Sequence, residues 1–148
     1  MRGLNRLMTQ EQSNKHLMLS VFAAMKEGHL EPLFEALSPN VIWKATAPPQ
    51  YFRFGGVHRG LAGIKEYTAL LFSRYHFIRF EARAITAKDD QVWALYEAEA
   101  LHLISNRYVR FDIFIHWTIQ NGKIAEHQSL FDTADVLIQQ GELGVEAA

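Results

Sequence analysis

Apolar and polar positions recur along this chain with two different periods. From about Lys15, Leu17, Val21, Ala24 and Met25 return at helical spacing, with Leu19 and Phe22 beside them. Ser13 or Asn14 is the expected cap of that helix, and Gly28 its end. Leu30, Leu33, Phe34 and Leu37 form the stripe of a second helix over 29–37, with Pro32 in its first turn. Ser38-Pro39-Asn40 reads as a turn. A short strand over 41–46 follows. The long connection after it, residues 47–60, carries Pro48, Pro49, Gly55, Gly56 and Gly60 and cannot hold a regular helix. Leu61, Ile64, Tyr67 and Leu71 mark a third helix over 61–74. The period then changes to two. Four strands are predicted over 76–87, 91–104, 108–120 and 123–131. Asp89-Asp90, Ser105-Asn106 and Asn121-Gly122 separate them, the last being a tight-hairpin signal. A short helix over 133–140 precedes Gly141.

Helices grouped ahead of an antiparallel meander predict an α+β domain, not an alternating α/β one. Long twisted strands curl, and the three helices are the natural filling of the curl. The 148 residues fit one domain. The expected division is a flexible N-terminal extension over 1–13, a single domain over 14–141 and a tail over 142–148. Apolar residues at 49% and charged residues at 21% exclude a disordered chain. Fifteen Lys and Arg against sixteen Asp and Glu leave no basic excess for a nucleic-acid backbone. The absence of cysteine excludes disulfides, thiolate-bound zinc and thiol catalysis, and fits a cytoplasmic location. No apolar run reaches the roughly 18 residues that span a bilayer, and the N-terminal stretch lacks the apolar core of a secretory signal. Neither nucleic acid nor membrane is an expected partner.

Three stretches carry a family likeness. The first runs from Gly28-His29-Leu30-Glu31-Pro32 through Ser38-Pro39-Asn40-Val41-Ile42-Trp43. The second is Gly55-Gly56-Val57-His58-Arg59-Gly60, leading into Gly63-Ile64-Lys65-Glu66-Tyr67. The third is Asn121-Gly122-Lys123-Ile124, with Phe131-Asp132-Thr133-Ala134 after it. In this order and spacing they resemble the SnoaL-like proteins of the nuclear-transport-factor-2-like superfamily, which also holds ketosteroid isomerases and polyketide cyclases. The resemblance covers about residues 14–141. It implies a cone-shaped α+β barrel: a curved, mostly antiparallel sheet wrapped around three helices, with a deep apolar pocket at the open end. Enzymes, transport factors and binding modules share that fold, so the fold does not choose among them.

Strand alternation says which side chains see such a pocket. Over 108–120, Val109, Phe111, Ile113, Ile115, Trp117 and Ile119 form an unbroken apolar face, assigned inward. Tyr96, Ala98, Ala100 and His102 share a face of the preceding strand, and His127, Ser129 and Phe131 share one of the last. Trp43, Tyr96, Trp117 and Phe131 thus become candidate ligand-binding residues, with His58 at the pocket mouth. His102 and His127 are the candidate catalytic proton carriers. Each reading has a plain alternative: aromatics fill any small core, and a strand histidine is often exposed or held by one hydrogen bond. The base and oxyanion hole of ketosteroid isomerases project near Val21, Ala45 and Ile115, none ionisable, so that mechanism is not expected. The polyketide cyclases use a carboxylate on a late strand helped by histidine. Asp132 with His102 or His127 is the nearest match, although Asp132 equally suits the cap of the helix at Thr133. The histidines are not spaced as a metal site, and no phosphate loop or nucleophile elbow appears. No metal or cofactor is expected.

The opposite face of the sheet carries Trp93, Leu95, Leu101, Leu103 and Phe114, too apolar for a solvated surface. A homodimer through that face is the simplest cover, with Glu97, Glu99, Arg110 and His116 as polar pairs inside it. Two functions stay open. One is the binding of a small apolar or aromatic metabolite with cofactor-independent acid–base chemistry: isomerisation, cyclisation, dehydration or hydration. The other is non-catalytic, a ligand carrier or a protein-interaction module.

Overall fold

The computed structural model describes residues 8–144. Most of the expected N-terminal extension and the end of the expected tail, residues 1–7 and 145–148, lie outside the described residues. The first helix, α1, spans Gln10–Lys26 and so begins well before the expected Lys15. Thr9, not Ser13 or Asn14, is its cap. The Thr9 hydroxyl accepts from the Gln12 N–H at 3.1 Å and the Gln12 side chain accepts from the Thr9 N–H at 3.0 Å, a reciprocal box that satisfies two otherwise free donors. Asn14 is instead buried. The second helix, α2, shrinks to Glu31–Ala36.

Ser38-Pro39-Asn40 is not a turn. The first strand, β1, runs Leu37–Thr46 and absorbs it. Pro39 donates no backbone hydrogen bond, and the pairing of β1 shifts register between Leu37 and Ile42 around it, as a bulge at a proline allows. The 47–60 connection also hides a short strand, β2 (Gly56–Arg59), before α3 (Gly60–Arg74). The meander follows as β3 (Tyr75–Lys88), β4 (Gln91–His102), β5 (Arg107–Gln120) and β6 (Lys123–Phe131), then α4 (Thr133–Gln139). The turns fall where the sequence placed them. Asp89, Asn106, Asn121 and Gly122 all take positive φ there, the conformation that Asn, Asp and Gly tolerate best.

The sheet has six strands in the order β2-β1-β6-β5-β4-β3. It is curved and unclosed, so the expected barrel is an open cone. All neighbours are antiparallel except β1 and β6, which run parallel. Helix α1 lies against β3 and β4, and α3 lies against β1. Their apolar stripes fill the curl: Met18, Val21 and Phe22 from α1, Ile64 and Leu71 from α3. Three further hydrogen bonds fix the cone's ends. The Asp89 N–H donates to the Glu11 carboxylate at 3.1 Å, and the Gln139 side chain brackets the Arg110 N–H and C=O at 2.7 and 2.8 Å. Gln139 thereby occupies the ladder position that β6, ending at Phe131, leaves open.

Among the described residues no helix is long and apolar enough to cross a membrane. The loop 47–55 folds tightly onto the cone. The Gly55 N–H donates to Phe52 O at 2.8 Å, and a Cβ at Gly55 would collide with the Ala47 carbonyl oxygen. Neither backbone can yield alone. We expect Gly55→Ala to lower unfolding free energy by about 1–3 kcal/mol in urea titration; an unchanged midpoint would show that the loop is not packed this way.

Candidate functional site: an aromatic cleft

Cross-strand register places the inward side chains in rows. One row reads Val92, Trp117, His127, Trp43 and His58 across β4, β5, β6, β1 and β2. Two residues along, the next row reads Ala94, Ile115, Ser129, Ala45 and Gly56. A third holds Tyr96, Ile113 and Phe131. The second row is made mostly of small residues. They open a space against the sheet, floored on one side by the imidazole of His127.

A cleft occupies that space. Ile115, Ser129, Ile113, Phe131 and Phe111 form its sheet wall. Phe22, Met25 and Lys26 of α1 face it, as do Tyr67 and Leu71 of α3. Phe54 reaches in from the 47–55 loop, and Tyr75, Phe77 and Phe80 come from β3. Nine of its seventeen lining residues are Phe or Tyr, so ring faces and edges dominate its surface. The cleft is a narrow slot: the centre of a water-sized sphere can move through about 60 Å³ of it.

His127 lines this slot together with Ser129, Lys26 and the phenols of Tyr67 and Tyr75. Its ring stacks on Trp43 with centroids 3.7 Å apart and planes 3° from parallel. It is 3% exposed, and neither ring nitrogen has a hydrogen-bond partner among the described residues. Burial holds its imidazole well below the ordinary value, and His116 adds to the effect. The ring is therefore neutral near pH 7 and has a free lone pair. The phenols around the cone do not compete as acids: burial pushes Tyr67, Tyr75 and Tyr96 each up to about 12. The Tyr75 hydroxyl donates to Gln140 at 2.7 Å.

Of the eight residues singled out from sequence, His127 and Phe131 line the cleft. Trp43 and Trp117 lie beneath His127 and beside it, fully buried. Tyr96 stacks on Phe80 at 4.6 Å, one layer behind the wall, its hydroxyl buried without a partner. His102 faces inward but sits beyond the slot. Its Nδ1 meets the Ser105 hydroxyl at 2.7 Å, its Nε2 lies 3.7 Å from Glu142, and it braces the β4–β5 turn. Burial lowers its value while Glu142 pulls the other way. His58 bonds the Phe54 carbonyl at 2.7 Å and anchors the loop rather than the mouth. Asp132 is exposed and caps α4, accepting from the Asp135 N–H at 3.0 Å. The structure thus does not bring His102 or Asp132 to His127.

Sequence reading missed Lys26, Tyr67 and Tyr75 as lining residues. For Phe22, Met25 and Lys26 a signal existed, because their i, i+3, i+4 spacing puts them on one face of α1. The convergence of α3, β3 and the loop on the same slot has no local signature. No group of three or more potential metal ligands occurs among the described residues.

Both buried histidines tie stability to pH with the same sign. Their folded values lie below the unfolded one, so the unfolded chain takes up protons first as pH falls. Stability is full above about pH 6.5 and is lost below it, by at most about 1.4 kcal/mol per pH unit for His127. We expect the thermal midpoint to hold from about pH 8 to 7 and to fall from about 6.5 to 5. In His127→Phe, which keeps an aromatic ring on Trp43, the fall should be shallower; an equally steep fall would mean that His127 is not the buried neutral group.

Known proteins share this architecture. An NTF2-like protein of unknown function from Burkholderia pseudomallei superposes with a TM-score of 0.79 at 16% identity, over 86% of this chain and 96% of its own. TerC, crystallised with polyporic acid, gives 0.79 at 23% identity over 87% and 98%. An LEH-like epoxide hydrolase from M. tuberculosis gives 0.71 at 15% identity over 89% and 92%. At such identities the likeness is one of fold. No curated protein matches the sequence significantly. The family model for the SnoaL-like domain matches residues 19–127, from the middle of α1 to the histidine at the floor of the slot, and the chain belongs to that family.

Proposed function

We propose that this protein binds a planar aromatic molecule in the slot and uses His127 to accept and return a proton on it, without a cofactor. The observation that carries this reading is a neutral, unpartnered imidazole at the floor of a narrow aromatic slot. Buried polar atoms are nearly always hydrogen-bonded in proteins, and exceptions concentrate where a ligand or water completes them. An aromatic ring packs well against a lining made mostly of ring faces and edges. The reaction classes that need only such proton movement are isomerisation, cyclisation, dehydration and hydration. In this reading Phe131 contacts the ligand and Trp43 holds His127 in plane. Trp117 and Tyr96 back the wall, while His58, His102 and Asp132 serve the scaffold. TerC, co-crystallised with polyporic acid, lends the idea context, since it is a protein of this fold crystallised with a small molecule.

A second reading has its own observation. No carboxylate lines the slot among the described residues, so nothing there orients His127 or stabilises its charged form as in a relay. A carrier that holds the same ligand without turnover would need no such group. The two readings separate once a ligand is in hand: His127→Phe should lower turnover by about 100-fold or more in the first case, whereas in the second neither form turns the ligand over.

We further propose a homodimer through the outer sheet face. Trp93, Phe114 and Leu130 are exposed there, around half their surface open. Charged pairs rim them: Arg83 lies 2.9 Å from Glu97, and Arg110 lies 3.6 Å from Glu99. An apolar centre with a paired rim suits a two-fold contact. Native mass spectrometry, before and after incubation with a metabolite extract, reads subunit count and bound mass together. We expect two copies carrying a discrete small aromatic molecule. An empty protein that retains nothing would count against the slot as a ligand site, and a monomeric mass at micromolar concentration would count against the dimer.

A further inference from the structure

The lining of the slot is electrically one-sided. Lys26 is its single charged side chain among the described residues, and no Asp or Glu joins it. His127 is neutral, and the tyrosines stay protonated up to about 12. Lys26 follows Phe22 and Met25 on the same face of α1, one turn nearer the helix end, so it extends their apolar stripe to the rim of the slot. Its methylene stem can lie along the aromatic wall while its ammonium stays at the mouth.

Nothing strong holds that ammonium. Its one ion pair among the described residues is with Glu27, its neighbour in sequence, at 3.2 Å, and the two side chains are 30% and 64% exposed. Such a pair contributes little and yields to a better anion. The end of α1 does not oppose an anion either. The Glu27 and His29 N–H groups both bond the Ala24 carbonyl, and the Gly28 N–H bonds that of Met25, so the carbonyls nearest Lys26 are occupied internally.

We infer that the ligand of this slot is an aromatic carboxylic acid, bound ionised, with its ring between the aromatic walls and its carboxylate at the mouth against Lys26. The inference rests on the slot being the ligand site and names the chemical class it takes. A carboxylate gains a charge-assisted hydrogen bond there. A cation meets like charge at Lys26, the charged point of the lining among the described residues, and a neutral ring gains contact with the walls alone. Orientation follows: the ring end opposite the carboxylate points inward, to His127.

The test uses two probes of one shape, 2-naphthoate and 2-naphthamide, titrated by calorimetry into the full chain near pH 7.5. The wild type should bind the acid about fivefold more tightly than the amide. In Lys26→Gln that ratio should fall to about one with the amide's affinity unchanged, and Lys26→Arg should restore it. Glu27→Gln, which frees the ammonium, should raise the ratio. If the amide binds but the acid shows no preference, or if the preference survives Lys26→Gln, the inference is overturned and the slot remains a neutral aromatic site. If neither probe binds to any form, the ligand-site reading fails and this inference falls with it.

Discussion

The stack of His127 on Trp43 is the contact on which the rest of the inner sheet turns. It joins two strands that are 84 residues apart in sequence and run parallel, the one parallel pairing in the sheet. Trp117 on one side and His58 on the other continue the same row. Once this row is set, alternation fixes everything above it. The small residues Ala94, Ser129 and Ala45 fall one layer up, and the larger Ile113 and Phe131 one layer beyond. A slip of one residue between β1 and β6 would send Trp43 to the outside and Lys44 inward. The cost of burying an imidazole without hydrogen bonds is met in part by ring-on-ring contact, and it is a cost that a purely structural core would avoid by using Phe.

From this row the chemistry follows by position. The slot is deep because its second layer is small, and thin because phenylalanines from α1, β3 and β5 close on it from three directions. Low polarity keeps His127 neutral, which is the form that can take a proton. The same low polarity makes a lone cation at the rim count for more than it would on an open surface. Val21, Ala45 and Ile115, the positions onto which the base and oxyanion hole of ketosteroid isomerases project by resemblance, are all buried and apolar.

The inward faces of β4, β5 and β6 were legible because their side chains alternate cleanly, and the turns were legible because Asn, Asp and Gly mark positive φ. The helix start was legible in principle: Thr9 and Gln12 carry the capping spacing, but a polar first turn, Gln10 to Ser13, hides the periodicity that draws the eye to Leu17. Ser38-Pro39-Asn40 has turn composition yet lies in a strand, because the sheet bulges there and spares Pro39 a ladder bond. The site was half legible. Strand alternation found His127 and Phe131, yet the same rule selected His102, which faces inward but lies beyond the slot. Only tertiary packing decides how far along the cone a residue stands, and that same packing brings Lys26, Tyr67 and Phe54 to the slot from separate elements.

The protonation state of His127 is the most direct measure of this picture. Ring nitrogen-15 shifts of the full chain, followed from about pH 8 to 5, report it without perturbing the fold. A His127 that stays neutral well below the ordinary imidazole range is the expected result. A His127 that takes its proton at the ordinary value of about 6.5 would mean that water reaches its nitrogens freely, and the slot would then not be built around a neutral imidazole.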